Sequence, residues 1–111
     1  MTNQQLGTLG ENTAAEYLTR KGYRILCRNF RCREGEIDIV ALKDDTLHFI
    51  EVKTRQGVLF GHPLESVTKK KAAHMRAAAS RFLAQWPKGW KRPAQIRMDA
   101  IAIEIDHVPN I

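Results

Sequence analysis

The chain has 111 residues, 43% of them hydrophobic and 27% charged, with a formal net charge of +6. That suffices for one domain with a real core and not for two, and the positive balance favours an anionic partner. No run approaches the roughly 18 apolar residues of a membrane-spanning helix, and the two cysteines, Cys27 and Cys32, lack zinc-site spacing.

Met1 to Leu6 shows no basic region followed by an apolar stretch, so no signal peptide is expected, and the chain reads as cytoplasmic with no membrane partner. Gly7 to Lys21 predicts an amphipathic helix with Glu11, Ala14, Ala15 and Leu18 on one face, stopped by Gly22. Glu11 opens a face that is otherwise apolar. Two explanations stand: a capping box with Thr8 as N-cap, or a carboxylate aimed at the sheet. Tyr23 to Phe30 predicts a short strand, with Ile25 and Cys27 on one face and Leu26 on the other. Cys27 reads as a small core residue rather than half of a disulfide. Arg28, Arg31 and Arg33 cluster near the strand's end, as a solvated edge or a phosphate-contacting surface, before a turn at Arg33-Glu34-Gly35.

Glu36 to Leu42 and Leu47 to Lys53 are two apolar runs rich in Ile and Val, joined by a polar turn whose tip is Asp44-Asp45. This is a β-hairpin signature. Alternation puts Glu51 and Lys53 on one face with Leu47 and Phe49, and Ile50 and Val52 on the other. Both faces are apolar, so the second strand reads as central and covered on both sides. Asp38 lies on the neighbouring strand, within reach of Glu51. Two carboxylates and a lysine on a covered strand are costly to desolvate, and the carboxylates repel unless a cation or proton sits between them. The pattern points to a divalent-metal site with a lysine beside it.

Thr54 to Pro63 reads as a loop. Its Val58, Leu59 and Phe60 could pack on the core, form a lid or meet a second subunit. Leu64 to Gln85 predicts a long helix whose apolar stripe is Ala72, Met75, Ala79, Phe82, Leu83 and Trp86. Lys69, Lys70 and Lys71 oppose the helix macrodipole at its start, so helix stability does not explain them. Lys70, His74, Ala77 and Arg81 share an exposed face, solvated or phosphate-binding. Between Ser66 and Met98 there are nine Lys or Arg and no Asp or Glu. Trp90, in the basic loop Trp86 to Ala94, could stack on a base or cover the core's end. Ile96 to Ile105 predicts the last strand, with Asp99 available to pair with an arginine. The four histidines are scattered, without ligand spacing.

The order helix, three strands, helix, strand, with Asp38 on the second strand and Glu51-Val52-Lys53 on the third, resembles the PD-(D/E)xK nuclease superfamily. It is also similar to archaeal-type Holliday-junction resolvases. A closer resemblance, spanning nearly the whole chain, is to the small bacterial YraN-like family. It rests on Gly10-Glu11, Gly22-Tyr23, Arg28-Asn29-Phe30, Gly35-Glu36-Ile37-Asp38, Phe49-Ile50-Glu51-Val52-Lys53-Thr54-Arg55 and Arg97-Met98-Asp99. Ile37 stands where the superfamily name puts proline, a position without chemistry. The resemblance implies an α/β, restriction-endonuclease-like αβββαβ core with a central mixed β-sheet flanked by helices. It favours Glu11 as a site residue over the cap.

It further implies Mg²⁺ or Mn²⁺ held by Asp38, Glu51 and the Val52 backbone carbonyl, with water and a phosphate oxygen completing the shell. Lys53 would orient the attacking water and offset developing charge, and Glu11 would position a water or meet a second metal. Arg28, Arg31, Arg33, Arg55, Lys69, Lys70 and Arg76 are the candidate nucleic-acid contacts. A single small domain would read structure or backbone rather than base sequence. The leading expectation is a nuclease for structured or branched DNA, with DNA favoured over RNA and a homodimer compatible with a two-fold junction. The alternatives are a non-catalytic nucleic-acid-binding module and an adaptor that meets another protein through Val58 to Phe60.

Overall fold

The computed structural model describes residues 1–57 and 68–111. Its elements are α1 (Asn3–Arg20), β1 (Arg24–Cys32), β2 (Gly35–Lys43), β3 (Thr46–Gln56), α2 (Lys69–Ala84) and β4 (Gln95–Ile105). The sheet runs β1-β2-β3-β4. The first three strands are antiparallel and β4 pairs parallel with β3. This is the expected αβββαβ order on a mixed sheet with helices on both faces. No helix of the described residues is long and apolar enough to cross a membrane.

Period-two alternation along β3, and along β2 from Ile39 onward, builds two cores on one sheet, with Ile37 falling out of that phase onto the α2 side. Ile37, Val40, Leu47 and Phe49 pack with Ala78 and Ala79 of α2. Ile39, Ala41 and Ile50 pack with Ala14 and Leu18 of α1. On the α2 side, the Phe82 ring meets Phe30, Phe49 and Trp86 edge to face at 5.3, 5.8 and 6.3 Å. The β2–β3 turn forms as expected: Asp44 and Asp45 adopt left-handed φ of 48° and 66°, the twist a two-residue hairpin needs.

Several boundaries differ from the sequence reading. Helix α1 begins at Asn3 rather than Gly7. Thr2 is its N-cap, taking the Gln5 N–H at 3.0 Å while Gln5 Oε1 accepts from the Thr2 N–H at 2.8 Å. Thr2-Asn-Gln-Gln5 and Thr8-Leu-Gly-Glu11 carry the same capping pattern, and the earlier one is used. Thr8 is inside the helix, where its hydroxyl donates to the Gln4 carbonyl. The end is as expected. Gly22 (φ 90°) follows the cap, with Gly22 N–H to Thr19 O at 3.1 Å and Tyr23 N–H to Leu18 O at 2.9 Å, a Schellman closure.

Strand β1 runs on to Cys32 because Arg31 and Cys32 pair with Glu36 and Gly35. An irregularity between Ile25 and Cys27 splits the face they were expected to share. Ile25 packs toward α1, whereas Leu26 and Cys27 pack toward α2. Both cysteines are free thiols. Thr54 to Gln56, read as the start of a loop, continue β3 because they pair with Ile103 to Ile105 of β4. Val58 to Phe60, and the Leu64 start expected for the long helix, lie outside the described residues. Helix α2 begins after Thr68, whose extended backbone (φ −85°, ψ 167°) and hydroxyl cap the Lys71 N–H. Asp99 pairs not with an arginine but with His48, Nδ1 to Oδ2 2.6 Å, across the β3–β4 ladder. Trp90 is 50% exposed, edge-on to Trp86 and beneath the Arg24 guanidinium.

Candidate functional site

The β2–β3 ladder runs from Lys43↔Thr46 to Ile39↔Ile50 and stops there, although both strands continue. At the point of separation the Val52 N–H donates to Asp38 Oδ2 at 2.7 Å. A side chain thus takes over where the backbone partner leaves, satisfying a strand N–H and fixing the Asp38 carboxylate beside Glu51.

Glu51 is 3% exposed and is the one buried charged side chain among the described residues. It lies on the face of β3 that meets α2, as alternation from Leu47 and Phe49 requires. Two ammonium groups face it. Lys53 Nζ is 3.8 Å from Glu51 Oε1, and Lys71 Nζ, from the first turn of α2, makes the closer ion pair. The lysines are less buried than the acid they serve, with side chains 29% and 35% exposed.

These environments move the protonation equilibria. Burial lifts the Asp38 pKa from 3.8 to about 6; the Val52 N–H opposes this, and the charge of Glu51 adds to it. Burial pulls Lys53 below its ordinary value, helped by the positive Lys71. Burial also works against the Lys71 ammonium, but the hydrogen bond and charge of Glu51 outweigh it and raise its pKa.

A stability prediction follows for Asp38. The folded chain holds this proton more tightly than the unfolded chain. The contribution is therefore complete below about pH 4 and is lost as pH rises through about 6. A two-unit shift corresponds to about 3 kcal/mol, and the residual exposure of Asp38 reduces this to about 1–2 kcal/mol. Denaturant unfolding in chelator should lose that much between pH 4 and 7, and Asp38→Asn should flatten the slope.

Glu11 reaches the same region from α1. Together with Asp38, Arg28, Asn29, Arg31 and Glu36 it lines a cavity of about 320 Å³. Its Oε1 is buried without a hydrogen-bond partner, with Arg28 Nη2 at 3.6 Å. The capping explanation is thereby removed, and the carboxylate faces the cavity. Glycine at position 10 makes this approach possible: a Cβ there would fall 1.6 Å from Thr54 Oγ1 on β3.

The donor set suits a hard cation. Two adjacent carboxylates repel, and Glu11 holds an oxygen nearby that lacks a hydrogen bond, 3.6 Å from the Arg28 guanidinium. Among the described residues no three His, Cys, Asp or Glu side chains cluster closely enough to hold a metal alone. Asp38 and Glu51 could offer one or two carboxylates to a cation such as Mg²⁺, whose shell is otherwise completed by water and phosphate oxygens.

The basic residues divide. Arg28 is held by Asn12 Oδ1 at 2.7 Å and Arg31 by Glu36 at 3.2 Å, both at the rim of the Glu11–Asp38 cavity. Lys70 lines an adjoining cavity with Lys71, and Arg33 is exposed. Arg55 lines a separate cavity with Asn3, Leu6, Thr54 and Gln56. At about 100° per residue, Lys69 and Arg76 lie about 160° and 140° around α2 from Lys71 and are not gathered at the site.

Lys71 is the site residue that sequence reasoning missed. The signal was present: Lys71, Met75, Ala78 and Phe82 fall at i, i+4, i+7 and i+11, which puts this lysine on the buried stripe.

A family model described as Uncharacterised protein family UPF0102 matches residues 10–103. A UPF0102 protein of Syntrophomonas wolfei is 43% identical over 115 residues, covering 97% of each chain. One from Caldicellulosiruptor bescii is 45% identical over 111 residues, covering all of this chain and 92% of its own. One from Parafrankia is 48% identical over 101 residues, covering 91% and 83%. The chain belongs to UPF0102, the YraN-like family that its motifs resemble.

Proposed function

We propose that the protein is a divalent-metal-dependent phosphodiesterase acting on nucleic acid, with structured or branched DNA as the preferred substrate class. The observation that carries this reading is the Asp38–Glu51 carboxylate pair at the β2–β3 separation, with Lys53 on the same strand face as Glu51. Asp38 and Glu51 would bind Mg²⁺ or Mn²⁺, with the Val52 carbonyl as the further protein ligand. A bound cation would supply charge neutralisation at the phosphate. Lys53, its pKa lowered, would orient the attacking water and stabilise the negative charge that builds at phosphorus. Glu11 would hold a water in the cavity it shares with Asp38. The two free thiols suit a reducing, cytoplasmic setting.

The test is cleavage of labelled duplex, single-stranded, flap and four-way-junction DNA and of structured RNA, in Mg²⁺ and in Mn²⁺, with Glu51→Ala alongside. Cleavage by wild type that the variant lacks supports the reading, and the preferred substrate names the class. No cleavage across the panel contradicts it.

One observation favours a second reading. Glu51 is already matched by two ammonium groups, as a non-catalytic binding module on this fold would permit. Nucleic-acid binding that is unchanged by chelator and by Asp38→Ala would select it.

Backbone binding also makes a salt prediction. Arg33 and Lys70 are exposed and have no ion-pair partner among the described residues. Each phosphate contact contributes about 0.9 to the slope of log affinity against log salt. Changing both to alanine should reduce that slope by roughly 2, measured by fluorescence anisotropy on duplex DNA. Arg31→Ala, already paired with Glu36, should change it less.

A further inference from the structure

We propose that Lys71 is a built-in counter-cation for Glu51: its ammonium occupies the position of a divalent cation on that carboxylate and gives way when the cation binds. The proposal rests on the metal-dependent reading above.

Three observations carry it. Glu51 is buried, and a carboxylate charge there is costly without a positive partner. Lys53 shares its strand face but stands 3.8 Å away, whereas Lys71 makes the closer contact from another element. The two lysines therefore differ. Lys53 is placed by the strand that carries Glu51, and Lys71 is brought in by a helix and withdraws without disturbing the strand.

Lys71 also has somewhere to go. Its side chain is 35% exposed, and it lines a cavity of about 310 Å³ with Gly35, Glu36, Thr68, Lys70, His74 and Met75. A lysine head on a flexible four-carbon stem is a mobile point charge. Its place in the first turn of α2 opposes the helix dipole, so helix stability does not hold the ammonium there and Glu51 does. Without such a partner, Asp38 and Glu51 would repel each other whenever no cation is bound. A lysine that leaves keeps the empty site folded and the loaded site open.

The test is Mn²⁺ binding by isothermal calorimetry to wild type, Lys71→Met, Lys71→Arg and Glu51→Gln. If the ammonium must be expelled, Lys71→Met binds Mn²⁺ roughly tenfold more tightly than wild type, the order of one partly screened charge interaction. Lys71→Arg binds no more tightly than wild type, and Glu51→Gln loses the site. Should Lys71→Met not fold, wild type answers the question directly. With ¹³C-labelled lysine, assigned through Lys71→Arg, the Lys71 side-chain NMR signal shifts saturably on Mg²⁺ addition.

Equal or weaker Mn²⁺ binding by Lys71→Met, with binding still lost in Glu51→Gln, overturns the proposal and leaves the metal reading intact. A Lys71 signal that stays unchanged while Mg²⁺ binds at Glu51 does the same. No cation binding by wild type or by Lys71→Met overturns the metal reading and this proposal together.

Discussion

Glu51→Gln should abolish metal-dependent cleavage while leaving the fold nearly intact, and Lys71→Met should weaken the fold far more than Glu51→Gln does. The asymmetry follows from burial. Glu51 has almost no access to water, whereas the side chains of Lys53 and Lys71 are about a third exposed. Removing the acid frees two ammonium groups that can turn toward solvent, at a cost within about 1 kcal/mol. Removing Lys71 leaves a buried carboxylate with only the more distant Lys53. Breaking a fully buried pair costs about 3–5 kcal/mol. The exposure of Lys71 and the presence of Lys53 reduce this to about 2 kcal/mol, roughly 8 °C in Tm for a domain of this size. Loss of one electrostatic element at the phosphate is worth about 100-fold in rate or more, so Glu51→Gln should fall at least that far. Thermal unfolding without metal and single-turnover cleavage with Mn²⁺ measure the two halves. Equal destabilisation by the two substitutions would show that the pair is not organised as described.

Gly10→Ala should be among the most disruptive single-methyl additions in the chain, and Gly7→Ala in the same helix should be harmless or stabilising. At position 10 the new Cβ would lie 1.6 Å from Thr54 Oγ1 and 2.7 Å from Thr54 Cβ, so α1 must move off β3. Overpacking of this kind costs up to about 3 kcal/mol. At position 7 nothing lies within 4 Å, and replacing a helical glycine gains up to about 1 kcal/mol. The shift at position 10 carries Glu11, the next residue, away from the cavity it shares with Asp38. A misplacement of about 1 Å can cost 100-fold in rate. Thr54→Gly removes the obstructing side chain, so Gly10→Ala should cost much less in that background. A double-mutant cycle of chemical denaturation and cleavage measures this coupling. Additive losses would mean that the close approach of α1 to β3 is unimportant.

The parts of this fold that were legible in the sequence are those specified locally. The β2–β3 hairpin follows from alternation and from two consecutive Asp residues able to adopt left-handed φ. The end of α1 follows from Gly22. The starts of the helices were less legible because capping patterns recur: Thr2 and Thr8 both head one, and only tertiary packing selects between them. The extension of β3 through Gln56 depends on pairing with Ile103 to Ile105 of β4, far along the chain, which no local window contains. In the candidate site, Asp38, Glu51 and Lys53 stood out as charges on apolar strands. Lys71 did not, because it sits in a run of three lysines, and a run is read for its net charge before its helical register. The Asp38 bond to the Val52 N–H was also illegible, since it exists only because two strands part at that residue.

The central claim is that Asp38 and Glu51 together form a divalent-cation site. The most direct measurement is anomalous diffraction from crystals soaked in Mn²⁺. A peak within coordination distance of both carboxylates, absent from Glu51→Gln crystals, is the predicted result. Crystals that show no peak there, with Glu51 still paired to Lys71 under saturating Mn²⁺, would contradict it.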